Sequence, residues 1–378
     1  MWPEYSARCR RDVDVLLRQG GSLSAYRANP LFPSWTGPAE GSWAHRLERD
    51  IERRFRVKHC VVVNSGTAAL HAALASLRLK AGDEVITTAY SFSSTTSAIL
   101  LAGGIPVFAD VDPYTFCITK ETVSRAITKR TRAILPVHLF GGLAPVRELQ
   151  SFGLPVIEDA AQAVGARNEQ GYSGTLGLAG CYSFNGGKNI PAGEAGCVVT
   201  NSDQVAEAAR LLMNHGENFH SKSVGLNYRM NELTACVAFH GLQELEERNK
   251  RRHELAQELV SDVWVRGCYG QFSFPLHEFA DQNRNGEHAF YVFPFTLARW
   301  IDREKFCKRM EKRGIPVGRG YIQPVLSHYK AFRKYARGPL PVVEELSSKT
   351  LCILSTLTPD RPLSYARKVA EAMRESLA

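Results

Sequence analysis

The sequence predicts an α/β fold: a mostly parallel sheet with helices on both faces in a large domain, joined to a smaller α+β C-terminal domain. Three observations carry this prediction. Between residues 60 and 200, short apolar runs rich in Val, Ile and Cys alternate with segments of helical spacing. Several of these runs close on Asn, Ser, Thr or Asp just before the next helix, as strand-to-helix connections do. The length of 378 residues, 44% of them hydrophobic, is enough for a large core and two domains.

Residues 1–42 read as an N-terminal arm. Residues 8–18 suit a short helix, and Pro30, Phe32, Pro33, Trp35 and Pro38 mark an aromatic loop or lid. The large domain is expected over 43–255. Trp43, Leu47, Ile51 and Phe55 recur every four residues, which is a helical stripe. Residues 60–63 form a buried strand, and Asn64-Ser65-Gly66-Thr67 turns into a helix over 68–79. Strand, small-residue turn and helix in that order bring backbone amides and a helix dipole to face an anion.

Strands follow at 84–88 and 106–110, separated by a loop at Tyr90-Ser91-Phe92 and a helix over 95–102. A helix at 119–128, a strand at 133–137, a short helix at 143–152 and a strand at 156–159 continue the alternation. Runs at 181–184 and 196–200 flank a glycine-rich turn; 204–213 is helical and 216–225 a polar loop. One long helix is expected over 227–260, its charged run at 244–252 facing solvent with i,i+4 pairs. The small domain, 256–378, reads as a strand at 290–295, a helix at 302–313, a loop at Gln323-Pro324 and a closing helix from Leu363.

The net charge is +9 and the isoelectric point about 9.1. That balance favours anionic partners, whether nucleotide, phosphorylated substrate or nucleic acid, although surplus cations also serve solubility. No apolar run approaches the ~18 residues of a membrane span, and the first five residues carry no signal-peptide core. Nine cysteines are scattered without a CxxC pair. They read as buried thiols in a reducing cytoplasm, with neither a disulfide framework nor a metal site.

The stretch with most chemical content is 181–190, Cys-Tyr-Ser-Phe-Asn-Gly-Gly-Lys-Asn-Ile. One lysine, Lys188, sits in a glycine-rich turn between two strand-like runs, and an apolar strand upstream ends in Glu158-Asp159. Taken singly, such a lysine is an ordinary loop residue and such an aspartate an ordinary helix cap. Together and in this order they suggest pyridoxal phosphate, which needs a lysine amine for its aldehyde and an acid for its pyridine nitrogen. Ser65, Phe92, Asp159 and Lys188 all follow strands, so a parallel sheet brings them to one edge.

These motifs together resemble the DegT/DnrJ/EryC1/StrS sugar aminotransferase family of fold-type I pyridoxal-phosphate enzymes. The resemblance spans nearly the whole chain: Asn64-Ser-Gly-Thr-Ala-Ala-Leu70, Gly104-Ile-Pro-Val-Phe-Ala-Asp-Val-Asp-Pro113, Glu158-Asp-Ala-Ala-Gln-Ala-Val-Gly165, Lys188-Asn189, Asn214-His215-Gly216 and Asn227-Tyr228-Arg229-Met230. It implies a seven-stranded sheet and pyridoxal 5'-phosphate as cofactor. It also implies a homodimer with shared active sites, and ping-pong transfer of an amino group from glutamate or glutamine to a keto sugar carried on a nucleotide.

By the same resemblance, Lys188 forms the Schiff base and shuttles the proton, and Asp159 pairs with the pyridine nitrogen. Phe92 and Ala161 lie on the two ring faces, and Gln162 lies near the ring hydroxyl. Gly66, Thr67 and Ser183 hold the phosphate, with Asn227 reaching it from the neighbouring subunit. Asn185, Arg229 and Tyr321 are expected at the substrate, while His138 and His215 are expected to be structural. Two departures bear on specificity. Asn185-Gly186-Gly187 replaces the aromatic or His and Pro-Thr that commonly precede the family's lysine, and residues 20–42 are longer and more aromatic than its usual N-terminal loop. The charge leaves open a polyanionic acceptor such as a modified nucleobase. A non-catalytic relative remains an alternative that the retained Lys188 and Asp159 argue against.

Overall fold

A computed structural model of the protein describes residues 3–19, 23–24, 37–216, 224–268, 270–275 and 287–377. The expected aromatic loop around 30–35 and most of the expected polar loop at 216–225 lie outside the described residues. The N-terminal part contains helices α1 (Ala7–Arg18), α2 (Trp43–Phe55) and α3 (Gly66–Ala75), with strand β1 (His59–Val63) between the last two. Next come β2 (Glu84–Thr88), α4 (Ser93–Leu101), β3 (Ile105–Ala109), α5 (Lys120–Ala126), β4 (Thr131–Ile134), α6 (Val146–Gln150) and β5 (Ile157–Asp159). A two-stranded ribbon, β6 (Arg167–Asn168) and β7 (Gly171–Tyr172), precedes β8 (Ala179–Ser183), β9 (Gly196–Thr200) and α7 (Asp203–Met213).

These strands make one seven-stranded surface. β3, β2 and β4 pair in parallel; β1, β9, β8 and β5 form the other part, with β5 and β8 parallel. Parallel bridges Ile134–Val156 and Val137–Asp159 join the two parts across β4 and β5. The order is therefore β1-β9-β8-β5-β4-β2-β3, and β9 alone runs against the rest. The carboxyl ends of β1, β2, β5 and β8 consequently lie on one edge, where ligands bind in such sheets.

Side-chain alternation along the strands splits the apolar residues between the two faces. Val85, Ala133 and Ile157 join the core with α2, α3 and α7. Their neighbours Ile86, Ile134 and Val156 join the core on the opposite face. Seven consecutive residues of α3, 68–74, are buried, as an Ala-rich helix covered on all sides requires.

The expected long helix at 227–260 is two helices, α8 (Glu232–Gln243) and α9 (Leu245–Val265). Residues 227–230 are not helical: Asn227 bridges to Asn214, and the Asn231 side chain caps α8 by accepting from the Thr234 amide. Glu244 ends one helix and starts the next. The break lets α8 pack on α2 while α9 runs along the C-terminal helix. The charged run is not a fully solvated face either. Arg248 and Arg252 are buried, at 8% and 3% exposure, and Arg252 donates to the Phe290 and Tyr291 carbonyls.

The C-terminal part adds β10 (Phe272–Ser273), β11 (Phe293–Leu297), α10 (Arg303–Lys312), β12 (Gly318–Arg319), α11 (Pro341–Glu345), β13 (Leu351–Leu354) and α12 (Leu363–Glu375). Its sheet is antiparallel, in the order β10-β11-β13-β12. The expected boundary after residue 255 falls inside α9; we propose this four-stranded sheet as the centre of the small domain. Among the described residues no helix is long and apolar enough to cross a membrane.

Candidate active site

The turn after β1 presents the amino end of a helix, a geometry that suits an anion. The Ser65 hydroxyl caps α3 by accepting from the Ala68 amide at 3.1 Å. Gly66 and Thr67 occupy the first turn, where backbone amides have no acceptor within the helix. Gly66 lies directly against Ser183 at the end of β8: a Cβ there would come within 2.8 Å of the Ser183 Cβ. The Thr67 hydroxyl donates to the Ser94 hydroxyl at 2.7 Å, which ties α3 to α4. Three expected phosphate groups, Gly66, Thr67 and Ser183, thus meet at one helix N-terminus.

Asp159 ends β5 and is only 4% exposed. Thr95 Oγ1 donates to its Oδ2 at 2.7 Å, and the Ala161 amide to its Oδ1 at 3.2 Å. Burial pushes its carboxyl above the ordinary range, opposed by Thr95, the Ala161 amide and the nearby Lys188 and His138. Lys188 shows the converse. Burial pulls its ammonium down to about 8, against the pull of the Asp159 charge. Its loop is held by backbone bonds from Lys188 N to Asn185 O and from Gly186 N to Gly193 O, both 2.8 Å. The Lys188 Nζ sits 3.9 Å from the centre of the Tyr291 ring.

Gln162 is fixed at both ends. Its Oε1 accepts from the Phe140 amide and its Nε2 donates to the Tyr321 hydroxyl, each at 2.9 Å. Tyr321 therefore joins this cluster from the C-terminal part. Phe92, at the start of α4, is 56% exposed, an apolar residue open on the edge that carries Asp159. Asn185 donates to Glu194 Oε1 at 2.7 Å across the lysine loop. Asn227 and Arg229 lie by the end of β1, held through Asn64 and Asn214: the Asn227 carbonyl accepts from Asn64, and Arg229 donates to Asn214 at 3.1 Å.

His138 and Glu158 are fully buried together, with Nε2 and Oε2 2.8 Å apart. His138 Nδ1 accepts from the Ala144 amide, so Nε2 carries the proton that Glu158 receives. Glu158 also accepts from the amides of Gly174, Leu176 and Gly177. With every oxygen engaged, the pair organises the backbone around β5. Four neighbours were given no role from the sequence: Ser94, Thr95, Tyr291 and Asn189, the last noted only as part of the Lys188-Asn189 motif. Asn189 adjoins the lysine, and its buried amide donates to Asn249 Oδ1 at 2.7 Å and Ala289 O at 2.8 Å. Ser94 read as a loop residue, Thr95 as the start of an ordinary helix, and Tyr291 as one of several aromatics in a strand-like run.

Comparison with known proteins adds a second line of observation. The description of the DegT/DnrJ/EryC1/StrS aminotransferase family matches residues 34–374. A pleiotropic regulatory protein of Geobacillus stearothermophilus is 32% identical over 351 residues, covering 88% of this chain and 90% of that protein. The aminotransferase from Psychrobacter cryohalolentis superposes with a TM-score of 0.89 at 25% identity, covering 99% of this chain and 98% of that one. NtdA from Bacillus subtilis, solved with bound cofactor PMP, gives 0.81 at 25% identity, covering 99% of this chain and 83% of that one. The family match takes in both sheets and every candidate site residue named above, and the chain belongs to the DegT/DnrJ/EryC1/StrS aminotransferase family.

Proposed function

We propose that the protein is a pyridoxal-phosphate-dependent aminotransferase that moves an amino group from glutamate or glutamine to a keto sugar carried on a nucleotide. One observation carries the reading: at the carboxyl edge of the sheet the half-buried Lys188, on its glycine-rich turn, lies near enough to the buried Asp159 to feel its charge. The residues present fit the cofactor. Gly66 gives way to Ser183 where any side chain would collide, leaving the first amides of α3 open for a phosphate. When bound, the cofactor supplies an aldehyde for an amine and a ring that accepts an electron pair.

The chain's own residues would do the rest. Gly66, Thr67 and Ser183 would hold the phosphate, and Asp159 would favour a proton on the ring nitrogen. Phe92 and Ala161 would border the ring, and Gln162, which accepts from the Phe140 amide and donates to Tyr321, would lie near its hydroxyl. Lys188 is half neutral near pH 8, so it can attack a carbonyl and then carry a proton at Nζ. A second copy of the chain would bring its own Asn227 to the phosphate, with Arg229 near the shared substrate site and Asn185 and Tyr321 on its wall. The net charge of +9 suits the diphosphate of such an acceptor by raising its encounter rate.

The test is the absorbance of purified protein with pyridoxal phosphate, for wild type and Lys188→Ala, before and after glutamate or glutamine. A visible band that needs Lys188 and bleaches with an amino donor is the expected outcome. Absence of any Lys188-dependent band would overturn the reading in favour of a non-catalytic relative. A band indifferent to both donors would turn attention to a polyanionic substrate, which binds with steep salt dependence.

A further inference from the structure

We propose that Tyr291 is a positioning residue for Lys188: its ring receives the lysine in its ammonium form, and a clamped backbone at residues 289–291 holds the ring in place. The inference rests on Lys188 being the reactive lysine of the preceding reading. The Nζ lies 3.9 Å from the ring centre, inside the ~6 Å range over which an aromatic face attracts a cation.

The support beneath that ring is over-determined. The Ala289 amide donates to Gly141 O and the Tyr291 amide to Phe140 O, both at 3.0 Å. Buried Arg252 donates to the carbonyls of Phe290 and Tyr291, each at 3.2 Å. Asn189, next to Lys188 in sequence, donates to Ala289 O at 2.8 Å, so lysine and ring share one frame. Between the clamped residues, Phe290 has φ 39°, a conformation that a bulky side chain adopts only when its surroundings impose it. Gly141 makes room for that turn: a Cβ there would stand 2.5 Å from the Phe290 nitrogen. Five hydrogen bonds hold a strained turn whose product is the placement of one ring under one amine.

The chemistry gives that placement a purpose. Lys188 must be neutral to attack a carbonyl, and it becomes an ammonium once it has accepted a proton. Asp159 on β5 is the carboxylate that acts on it, with His138 behind, but in this reading Asp159 is engaged with the cofactor. The phenols of Tyr291 and Tyr321 are held protonated by burial and offer no counter-charge. The face of the Tyr291 ring therefore provides a seat for the cation that does not compete with Asp159 and does not trap the lysine as a full ion pair would.

The experiment uses the full-length apoprotein. The rate at which acetic anhydride acetylates Lys188 is followed by mass spectrometry across pH, for wild type, Tyr291→Phe, Tyr291→Leu and a protein with pentafluorophenylalanine at 291. Leu keeps the site apolar but removes the π face; the fluorinated ring keeps the volume and reverses the charge of the face. Wild type and Tyr291→Phe should titrate alike. The other two should titrate roughly 0.5–1.5 pH units lower, because only the ring's attraction for the ammonium is lost. Unmoved midpoints in both would overturn the proposal, as would a Tyr291→Phe midpoint that falls with Leu. If Tyr291→Leu does not fold, the fluorinated ring decides alone. A wild-type protein without a Lys188-dependent cofactor band defeats the functional reading; a wild-type band with unmoved midpoints defeats this inference only.

Discussion

A buried carboxylate stays ionised only if donors replace the water it has lost. Asp159 draws one of its donors from a chain of hydroxyls: Ser91 and Thr95 lie 2.7 Å apart, and Thr95 Oγ1 lies 2.7 Å from Asp159 Oδ2, all three residues below 5% exposure. Thr95→Val keeps the shape and removes the last link. The expected result is an intact fold with weaker retention of pyridoxal phosphate. Losing a hydrogen bond to a buried charge costs about 1–3 kcal/mol, or roughly 5- to 150-fold in dissociation constant. Titration of the apoprotein with the cofactor measures it, and an unchanged constant would remove Thr95 from the account of Asp159. At this scale, legibility followed chemistry. Lys188 and Asp159 stood out in the sequence because few residue types suit the roles proposed for them and both follow strands. Thr95 and Tyr291 did not, because a threonine in a helix or a tyrosine in an aromatic run becomes special only when folding places it beside a charge.

Elements were legible where a local rule set them and illegible where a partner did. The βα alternation, and the turn at Ser65-Gly66-Thr67, followed from periodicity and small residues. No Pro marks the break at Glu244, and Gly241 just before it is itself helical, so an unbroken helix was the natural reading. What divides α8 from α9 is the different surface each must cover. The start of α8 has a further role. The carboxylate of Glu232, 6% exposed, accepts from the first amides of α2, Trp43 at 2.8 Å and Ala44 at 3.1 Å. It thus caps another element's positive end. α2 in turn carries Glu48, which accepts from the Val62 amide and pairs with Arg210, so α2 steadies β1 and the turn that follows it. Glu232→Ala should therefore destabilise by about 1.5–3 kcal/mol, the range for hydrogen bonds to a charged group. Urea unfolding of the two proteins checks this. Glu232→Gln, which keeps one acceptor, should fall between them; equal midpoints for all three would show that α2 needs no cap from α8.

At the scale of the molecule, the C-terminal part returns to the first sheet and shares a core with it: Ile86 and Val107 of the large sheet pack in one cluster with Phe295, Leu351 and Met373. Hydrophobic patterning announced the first sheet and one strand of the second, at 290–295, but neither the other strands nor this union, because the cluster joins residues far apart in the sequence. A polar junction reinforces it. Glu84, fully buried at the start of β2, accepts from Arg130 at 2.8 Å, from Thr128 at 2.6 Å and from Arg337 at 2.7 Å. Burial alone would raise its carboxyl, but the bonds from Arg337, Thr128 and Arg130 prevail and hold it at about 2, against an ordinary 4.5. The sign of the consequence is fixed. A carboxyl whose folded value lies below its unfolded value binds fewer protons folded than unfolded across that interval. Its contribution to stability is whole above pH 4.5 and is lost as pH falls toward 2. In Glu84→Gln the charge is absent at every pH. The difference in unfolding free energy between the two proteins should therefore stay level from pH 7 to about 5 and narrow steadily below it. Urea unfolding at a series of pH values measures that difference directly. A gap that ignores pH would mean that the junction acts through shape and hydrogen bonding alone, and that the two guanidinium groups are neutralised elsewhere.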